Sequence, residues 1–282
     1  MQRRPYGNTG ETLSIVGFGG IAVMNLPQDE ADEAVAWAVE RGVNYFDVAP
    51  SYGDAQDRLG PALRPHRDGC FLACKTGRRD AVGAREELEN SLRVLQTNHF
   101  DLYQHHGFTR AEEVEQVFAP GGAMEVFLQA REEGKVRFLG FSAHDEAAAI
   151  MALERFPFDS VLFPLNAVLM KHGFGQKVLK SAQTHGAARL GLKAIAWTKV
   201  HEGEARPYPK CWYHVQDQPE IADLLLRYAL DLPLTATVPP GEIVPLKLAV
   251  ELASRYKPLT EGERATLKEH VGGLEPIFEH HG

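Results

Sequence analysis

The chain has too few cysteines to be held together by disulfides. Only three occur in 282 residues, Cys70, Cys74 and Cys211, and the first two fall in or next to one apolar, strand-like run. Disulfide frameworks are typical of small secreted domains, whereas a chain of this length can bury enough surface without them. We therefore expect buried, reduced thiols and a cytoplasmic location.

The sequence also lacks a block of positive charge. Its 30 lysines and arginines are outnumbered by 38 aspartates and glutamates, which gives a formal net charge of −8. Proteins that bind nucleic acid or anionic membranes concentrate lysine and arginine on one surface. We therefore expect neither nucleic acid nor a membrane as the main partner. The oligomeric state is left open by the sequence.

No apolar run approaches the roughly 18 residues that a membrane-spanning helix needs. The first ten residues, MQRRPYGNTG, contain two arginines but no apolar segment after them. A secretory signal peptide needs such a segment. We therefore expect neither a membrane span nor a signal peptide.

Metal-ligand spacings are missing as well. No HxH or HExxH motif occurs, although two histidines are adjacent in QHHG. Zinc sites draw on such clustered histidine and cysteine ligands. We expect no metal, and the pattern disfavours a metal-assisted hydrolase.

What the chain does contain is a regular alternation of apolar strand-like and amphipathic helix-like segments. Such alternation predicts a parallel sheet covered by helices. Eight units without a linker between them favour the α/β class and a single-domain (β/α)8 TIM barrel over residues 1–282. The remaining tail, about 257–282, is predicted to be helical and to pack outside the barrel. The predicted strands are SIVGFGG, VNYFDVA, CFLACK, FDLYQHH, VRFLGFS, DSVLFPLN, LKAIAWT and LTATVPP.

Several polar residues fall at the carboxyl ends of these strands, where TIM barrels carry their active sites. Asp47 and Lys75 end neighbouring strands and can form an ion pair, and Tyr52 follows in the loop above them. A nearby ammonium lowers the pKa of a phenol and helps it to donate a proton. We therefore interpret the three residues as a proton-donating group, with Tyr52 as the acid.

The adjacent histidines leave a choice. Neighbouring residues on a strand point to opposite faces, so only one of His105 and His106 can enter the barrel mouth. A histidine in that position could orient a carbonyl oxygen by a hydrogen bond.

Four stretches, FDVAPSYG, ACKTG, DLYQHHG and FLGFSAHD, occur in this order at predicted strand ends, and with them the chain resembles the aldo-keto reductases. The resemblance implies a (β/α)8 barrel that reduces a carbonyl compound with a nicotinamide cofactor, NADPH or NADH, of which we expect NADPH. It places the family's catalytic residues on Asp47, Tyr52, Lys75 and His106. Histidine is chosen at 106 because it stands five positions after Asp101.

The same resemblance implies a set of cofactor-binding residues. Ser142 matches the serine that holds the nicotinamide carboxamide, but Ala143 and Leu162 stand where asparagine and glutamine are usual. His144 or Asn166 could compensate, and Trp197, next to Thr198, falls where an aromatic ring stacks on the nicotinamide. At the phosphates and adenine of the cofactor, the resemblance implies contacts from Gly241, Lys247 and Glu251. The negative charge of Glu242 would repel a 2′-phosphate there.

Two functions are therefore weighed. The first is an NADPH-dependent carbonyl reductase, with His201, Tyr208 and Trp212 available to line its substrate pocket. The second is a cofactor-binding barrel with a redox-sensing or regulatory role and little turnover, which the altered carboxamide contacts keep open.

Overall fold

The computed structural model describes residues 1–279, and within them eight parallel strands form the predicted barrel. Neighbouring barrel strands pair in parallel in chain order. A parallel bridge between Val16 and Thr237 joins the first and last strands, so the sheet is nearly closed. The barrel strands are β3 (Phe18–Gly19), β4 (Tyr45–Asp47), β5 (Phe71–Thr76), β6 (Phe100–Phe108), β7 (Val136–Ala143), β8 (Ser160–Pro164), β9 (Ala188–Leu192) and β12 (Ala236–Val238).

Helices follow the strands and cover the outside of the barrel. The first is typical: it carries Asp29 and Glu30 in its first turn, where carboxylates favour the helix dipole, and buries an alanine- and valine-rich face. The α-helices are α1 (Gln28–Glu40), α2 (Ala55–Leu63), α3 (Ala81–Val94), α4 (Ala111–Phe118), α5 (Ala123–Glu132), α6 (Glu146–Arg155), α7 (Ala167–Lys171), α8 (Gln176–Thr184), α9 (Pro219–Asp231), α10 (Ile243–Ser254) and α11 (Glu261–His270). None of the helices in this described part of the chain is both long and apolar enough to cross a membrane.

Four short strands lie outside the barrel. An antiparallel hairpin of β1 (Arg3–Pro5) and β2 (Thr12–Ser14) precedes the first barrel strand. Tyr6, in the turn of this hairpin, is fully buried, and its hydroxyl donates to Ser160 Oγ at 2.8 Å. The other antiparallel pair is β10 (Ala196–Lys199) with β11 (Tyr213–Val215), and it belongs to the long connection between β9 and α9.

The buried side chains form two layers, as a closed barrel requires. One cluster consists of residues such as Tyr45, Leu102, Leu162 and Leu190 and fills the barrel interior. A larger cluster lies between the strands and the helices. Because adjacent residues of a strand face opposite sides, the two layers alternate along each strand.

Two predicted elements are corrected by the structure. The seventh barrel strand is β9, not LKAIAWT at 192–198: Lys193 has a φ of +63° and ends the strand, and residues 196–199 pair with β11 instead. The sequence over Ala111 to Glu133 predicts one long helix, but in the structure it is broken into α4 and α5. Gly121 has a φ of +76°, and a Cβ at Gly122 would lie 2.4 Å from the Val117 carbonyl oxygen.

The tail has two parts. Helix α11 packs on α9 at the outside of the barrel. Residues 271–279 then run to the barrel mouth, where Thr198 Oγ1 donates to the carbonyl of Glu275 at 3.0 Å. The ring of Phe278 stacks on His144 with 5.1 Å between centroids. The end of the described chain therefore covers part of the rim that carries the polar strand ends.

Candidate active site

An ion pair between Lys75 and Asp47 lies at the carboxyl end of β4 and β5. The two side chains are 1% and 3% exposed, and Lys75 Nζ donates to Asp47 Oδ1. Two further donors reach Asp47 Oδ2: Gln104 Nε2 at 2.9 Å and the Tyr45 hydroxyl at 3.3 Å. The carboxylate is thus fixed from three directions, as a buried charge requires.

The charge on Lys75 is stabilised by this arrangement. Burial alone lowers the pKa of the ammonium group, but the charge and hydrogen bond of the Asp47 carboxylate oppose it, and the pKa of Lys75 lies above its ordinary value. Lys75 is therefore protonated throughout the physiological pH range.

Tyr52 lies in the loop after β4, in a turn whose backbone is held at both ends. Its N–H donates to the Ala49 carbonyl at 3.1 Å, and its own carbonyl accepts from Ala55 at 3.0 Å. Lys75 Nζ is 5.3 Å from the centroid of the tyrosine ring. The loop therefore brings the phenol next to the ion pair.

The predicted lowering of the Tyr52 pKa is corrected by the structure. The ammonium of Lys75 does lower it, but burial raises it more strongly and Asp47 adds to the increase, so the pKa of Tyr52 lies above its ordinary value. The phenol consequently keeps its proton at neutral pH.

The two histidines are separated by strand alternation. His106 lines the cavity at the rim, its Nδ1 is 3.3 Å from Ser51 Oγ, and its ring meets Tyr52 edge to face at 5.6 Å. Burial, followed by the charge of Lys75, lowers the pKa of His106 to about 2, so the imidazole is neutral. In the tautomer in which Ser51 Oγ donates to Nδ1, the remaining proton is on Nε2.

His105 points the other way, into the layer between sheet and helices. Its ring stacks on Phe127 at 3.9 Å, and neither ring nitrogen has a hydrogen-bond partner among residues 1–279. Burial lowers the pKa of His105 well below its ordinary value. Of the two histidines, His106 therefore lines the cavity and His105 packs behind the strand.

A cavity of ≈ 210 Å³ opens above these residues. It is smaller than the roughly 300–1,000 Å³ of drug-sized pockets and has room for a small reacting group. Its lining comes from the carboxyl ends of the barrel strands and the loops that follow them: Gly19, Ile21, Asp47, Tyr52, Lys75, His106, Ser142, His144, Leu162, Leu192, Lys193, Lys210, Cys211, Trp212, Tyr213, Val238, Pro239 and Gly241.

Three of the predicted cofactor-binding residues line this cavity: Ser142, His144 and Gly241. Ser142 Oγ accepts from the Gly107 N–H at 2.7 Å. Burial, then Lys193, lowers the pKa of His144 to about 3. A Cβ at Gly241 would lie 2.2 Å from Ile21 Cγ2, so only glycine fits this close approach.

The other five lie elsewhere. Asn166 is engaged within the fold, because its Oδ1 caps α7 and its Nδ2 donates to the Lys193 carbonyl at 3.1 Å. Trp197 and Thr198 are on β10, away from the cavity lining, since the strand expected to present them ends at Leu192. On α10, Lys247 Nζ is 5.5 Å from the Trp37 ring centroid, and Glu251 is exposed.

The carboxylate of Glu242 is engaged by Lys210. Glu242 accepts from the Lys210 N–H at 2.8 Å, and its other oxygen is 3.7 Å from Lys210 Nζ. Glu242 precedes α10 without capping it by a side-chain hydrogen bond. Pro245 has no N–H and the Leu246 N–H donates to the Glu242 carbonyl, so an anion beside Gly241 could meet only the N–H groups of Ile243 and Val244 in the first turn of α10.

Several residues of the site were missed in the sequence, and Gln104, Lys193 and Tyr213 bear most on its chemistry. Gln104 holds Asp47, and its inward position follows from alternation with His106. Lys193 and Tyr213 line the cavity; Lys193 was hidden within the misplaced seventh strand, whereas Tyr213 adjoins Trp212 in the loop after it. By contrast, Trp212, which was considered for a substrate pocket, is in the lining, and the three cysteines are free and buried as expected.

Taken together, the fold and site define a (β/α)8 barrel with a tyrosine, a neutral histidine and a buried lysine–aspartate pair around one rim cavity. Residues 15–211 match the aldo/keto reductase family. This chain belongs to that family of oxidoreductases.

Individual relatives agree with this assignment. The chain is 29% identical over 157 residues to the uncharacterized oxidoreductase YqkF of Bacillus subtilis (51% of this chain, 49% of that one). It is 28% identical over 172 residues to L-galactose dehydrogenase of Arabidopsis thaliana (56% and 53%). The chain thus spans about half the length of these curated relatives in each match. The holo form of aldo-keto reductase AKR11C1 from Bacillus halodurans has the same fold, with a TM-score of 0.75, 23% identity and coverage of 99% and 98%.

Proposed function

We propose that this protein reduces an aldehyde or ketone to an alcohol with a nicotinamide cofactor, and that Tyr52 donates the proton. One observation carries the proposal: Tyr52, His106 and the Lys75–Asp47 pair meet at one wall of a small rim cavity. Chains of the aldo/keto reductase family act as oxidoreductases, and this cluster places the titratable groups that carbonyl reduction needs.

Each residue has a separate task in this proposal. Tyr52 keeps its proton at neutral pH and transfers it to the substrate oxygen as negative charge develops there. Neutral His106 offers its Nε2–H to the same oxygen and polarises the carbonyl bond. Lys75 stabilises the phenolate that remains, and Asp47 with Gln104 keeps Lys75 in place. A bound nicotinamide cofactor supplies the hydride to the carbonyl carbon when the carbonyl is reduced.

The residues of this chain fit such a cofactor. The uncapped N-terminus of α10, next to Gly241, suits phosphate groups, and Ser142 would meet the carboxamide. Leu162, Leu192 and Val238 offer an apolar surface to a flat ring. The electrostatic repulsion between Glu242 and a 2′-phosphate is reduced, because the Lys210 ammonium lies beside the Glu242 carboxylate.

For the identity of the cofactor we retain NADPH, with NADH as the alternative. The choice depends on Lys247, whose ammonium lies at 5.5 Å from the Trp37 ring centroid and makes no ion pair among the described residues. If Lys247 meets a 2′-phosphate, Lys247→Met weakens NADPH binding about tenfold and leaves NADH binding unchanged. Equal Kd values for NADPH in both proteins would contradict that role.

The second candidate, a cofactor-binding barrel with a regulatory role, is favoured by one observation: neither Ala143 nor the engaged Asn166 supplies the usual amide contact to the nicotinamide. Titration with NADPH and NADH, followed by quenching of the three tryptophans, tests both functions. Binding of neither cofactor refutes both. Binding without aldehyde-dependent oxidation of the reduced cofactor, over a broad aldehyde panel, supports the regulatory role instead.

A further inference from the structure

Lys193 has a fixed and unusual backbone at the carboxyl end of β9. Its φ is +63°, a conformation that costs energy in a residue other than glycine. Three hydrogen bonds hold it there: its N–H donates to the Val238 carbonyl at 3.0 Å, and its own carbonyl accepts from Asn166 Nδ2 at 3.1 Å and from the Ala196 N–H at 3.0 Å. The strained backbone brings the side chain into the lining of the cavity.

The ammonium group of Lys193 faces aromatic rings instead of carboxylates. Its Nζ is 5.9 Å from the centroid of Tyr213 and 5.6 Å from that of Phe278. Lys75 and Lys210 each pair with a carboxylate, but Lys193 forms no ion pair within residues 1–279. Ring faces attract a cation through their quadrupole but carry no net negative charge, so they do not neutralise the ammonium.

Lys193 also gives the cavity its net charge. The charge of Lys75 is balanced by Asp47, and that of Lys210 by Glu242. His106 and His144 are neutral, with their pKa values lowered to about 2 and about 3. Burial lowers the pKa of Lys193 to about 8, so its ammonium form still dominates at pH 7. The cavity is thus positive in a chain whose net charge is −8.

We propose that Lys193 is the anion-binding residue of this site and receives a carboxylate or phosphate group of the bound ligand. The inference rests on the proposed function and extends it to ligand class. Two sources share this chemistry: a carboxylate carried by the carbonyl substrate, or the pyrophosphate of the cofactor. In either case the ligand supplies the counter-ion that the fold does not provide.

The test compares Lys193→Met and Lys193→Gln with Lys199→Met as a matched control. Lys199 is on the neighbouring strand β10, but its ammonium pairs with Glu279, and it is absent from the cavity lining. Melting curves first verify that each variant is folded. Affinities for NADPH and NADH are then measured by tryptophan quenching, without turnover. Steady-state rates are measured with 4-carboxybenzaldehyde and its neutral analogue 4-carbamoylbenzaldehyde.

Two results support the proposal and separate the sources. If the anion is the substrate's, both Lys193 variants lower the kcat/KM ratio of acid over amide at least tenfold and leave cofactor Kd values unchanged. If it is the cofactor's, cofactor binding weakens at least tenfold, and the two aldehydes are affected equally. The anion-binding role of Lys193 is overturned if the cofactor Kd values and the kcat/KM ratio of acid over amide stay within twofold of wild type. It is also overturned if Lys199→Met causes the same changes.

The proposal can fail independently of the reductase function. Stabilisation of the wild-type protein by benzoate and by inorganic pyrophosphate is measured as a shift in melting temperature. We expect at least one anion to stabilise the wild type, and Lys193→Met to lose that shift. If the wild type binds no cofactor but this shift is present and depends on Lys193, the reductase function fails while the anion site stands. If neither anion stabilises the wild type and the variants bind cofactor normally, the anion site fails.

Discussion

The buried pair of Lys75 and Asp47 allows a quantitative test of how the site is held. Lys75→Met leaves the Asp47 carboxylate 3% exposed, with only Tyr45 and Gln104 as donors. Removing one partner of a buried ion pair costs about 3–5 kcal/mol because the other charge stays buried without compensation. Asp47→Asn should cost a similar amount, since it leaves the ammonium unpaired.

The double variant Asp47→Asn with Lys75→Met should recover much of this loss. It removes both charges, and an asparagine oxygen can still accept from Gln104 and Tyr45. We expect a coupling free energy of about 2–3 kcal/mol between the two positions. Urea unfolding followed by circular dichroism gives the four free energies of unfolding that the cycle needs.

An exposed pair provides the control. Lys135 and Glu89 are 34% and 44% exposed, and their coupling should stay below about 1 kcal/mol. The description of the pair is wrong if Lys75→Met lowers the free energy of unfolding by less than about 1 kcal/mol. It is also wrong if the losses of unfolding free energy from Lys75→Met and Asp47→Asn simply add in the double variant. The single and double variants should all lose reductase activity, even where stability returns.

Two further predictions concern the surroundings of the pair. Gln104→Leu removes a hydrogen bond to the Asp47 carboxylate, and such bonds contribute about 1.5–3 kcal/mol to the free energy of unfolding. Because Asp47 and Lys75 are then held less firmly, we expect kcat to fall roughly tenfold or more while the cofactor Kd is unchanged. Gln104→Glu should be worse than Gln104→Leu, because it adds a second buried carboxylate, and equal effects of the two would contradict the positioning role. The neutral histidines predict acid sensitivity: since the folded pKa of His106 is about 2 and that of an unfolded histidine about 6.5, the stability present above pH 6.5 is lost as pH falls toward 2. His106→Gln should make the fall in unfolding free energy between pH 6.5 and 4 shallower by up to about 1.4 kcal/mol per pH unit, and an unchanged slope would mean that His106 is protonated in the fold.

The architecture could be predicted because strand periodicity is local, whereas the choice of His106 over His105 came from the resemblance to the aldo-keto reductases. Alternation along DLYQHHG determines which side chains face inward, and only the register of β6 has to be read. The acid group followed from the same reasoning, because parallel strands bring Asp47 and Lys75 to one edge.

The errors arose where tertiary structure overrides local pattern. LKAIAWT is apolar enough for a strand, but Lys193 adopts a left-handed φ, and Trp197 joins a separate hairpin. The net pKa of Tyr52 depends on how deeply the phenol is buried, which composition does not reveal. Long-range contacts such as Phe278 on His144 likewise join residues more than a hundred positions apart.

The central claim is that Tyr52 donates the proton. Its most direct test is the reduction rate of Tyr52→Phe measured beside its cofactor affinity, with Tyr213→Phe as a control that removes another hydroxyl from the same cavity. We predict that Tyr52→Phe lowers kcat by at least a hundredfold, since general acid catalysis contributes about 10²–10⁴-fold, while the cofactor Kd changes by less than twofold. A Tyr52→Phe protein that reduces aldehydes at close to the wild-type rate, or no more slowly than Tyr213→Phe, would contradict the mechanism.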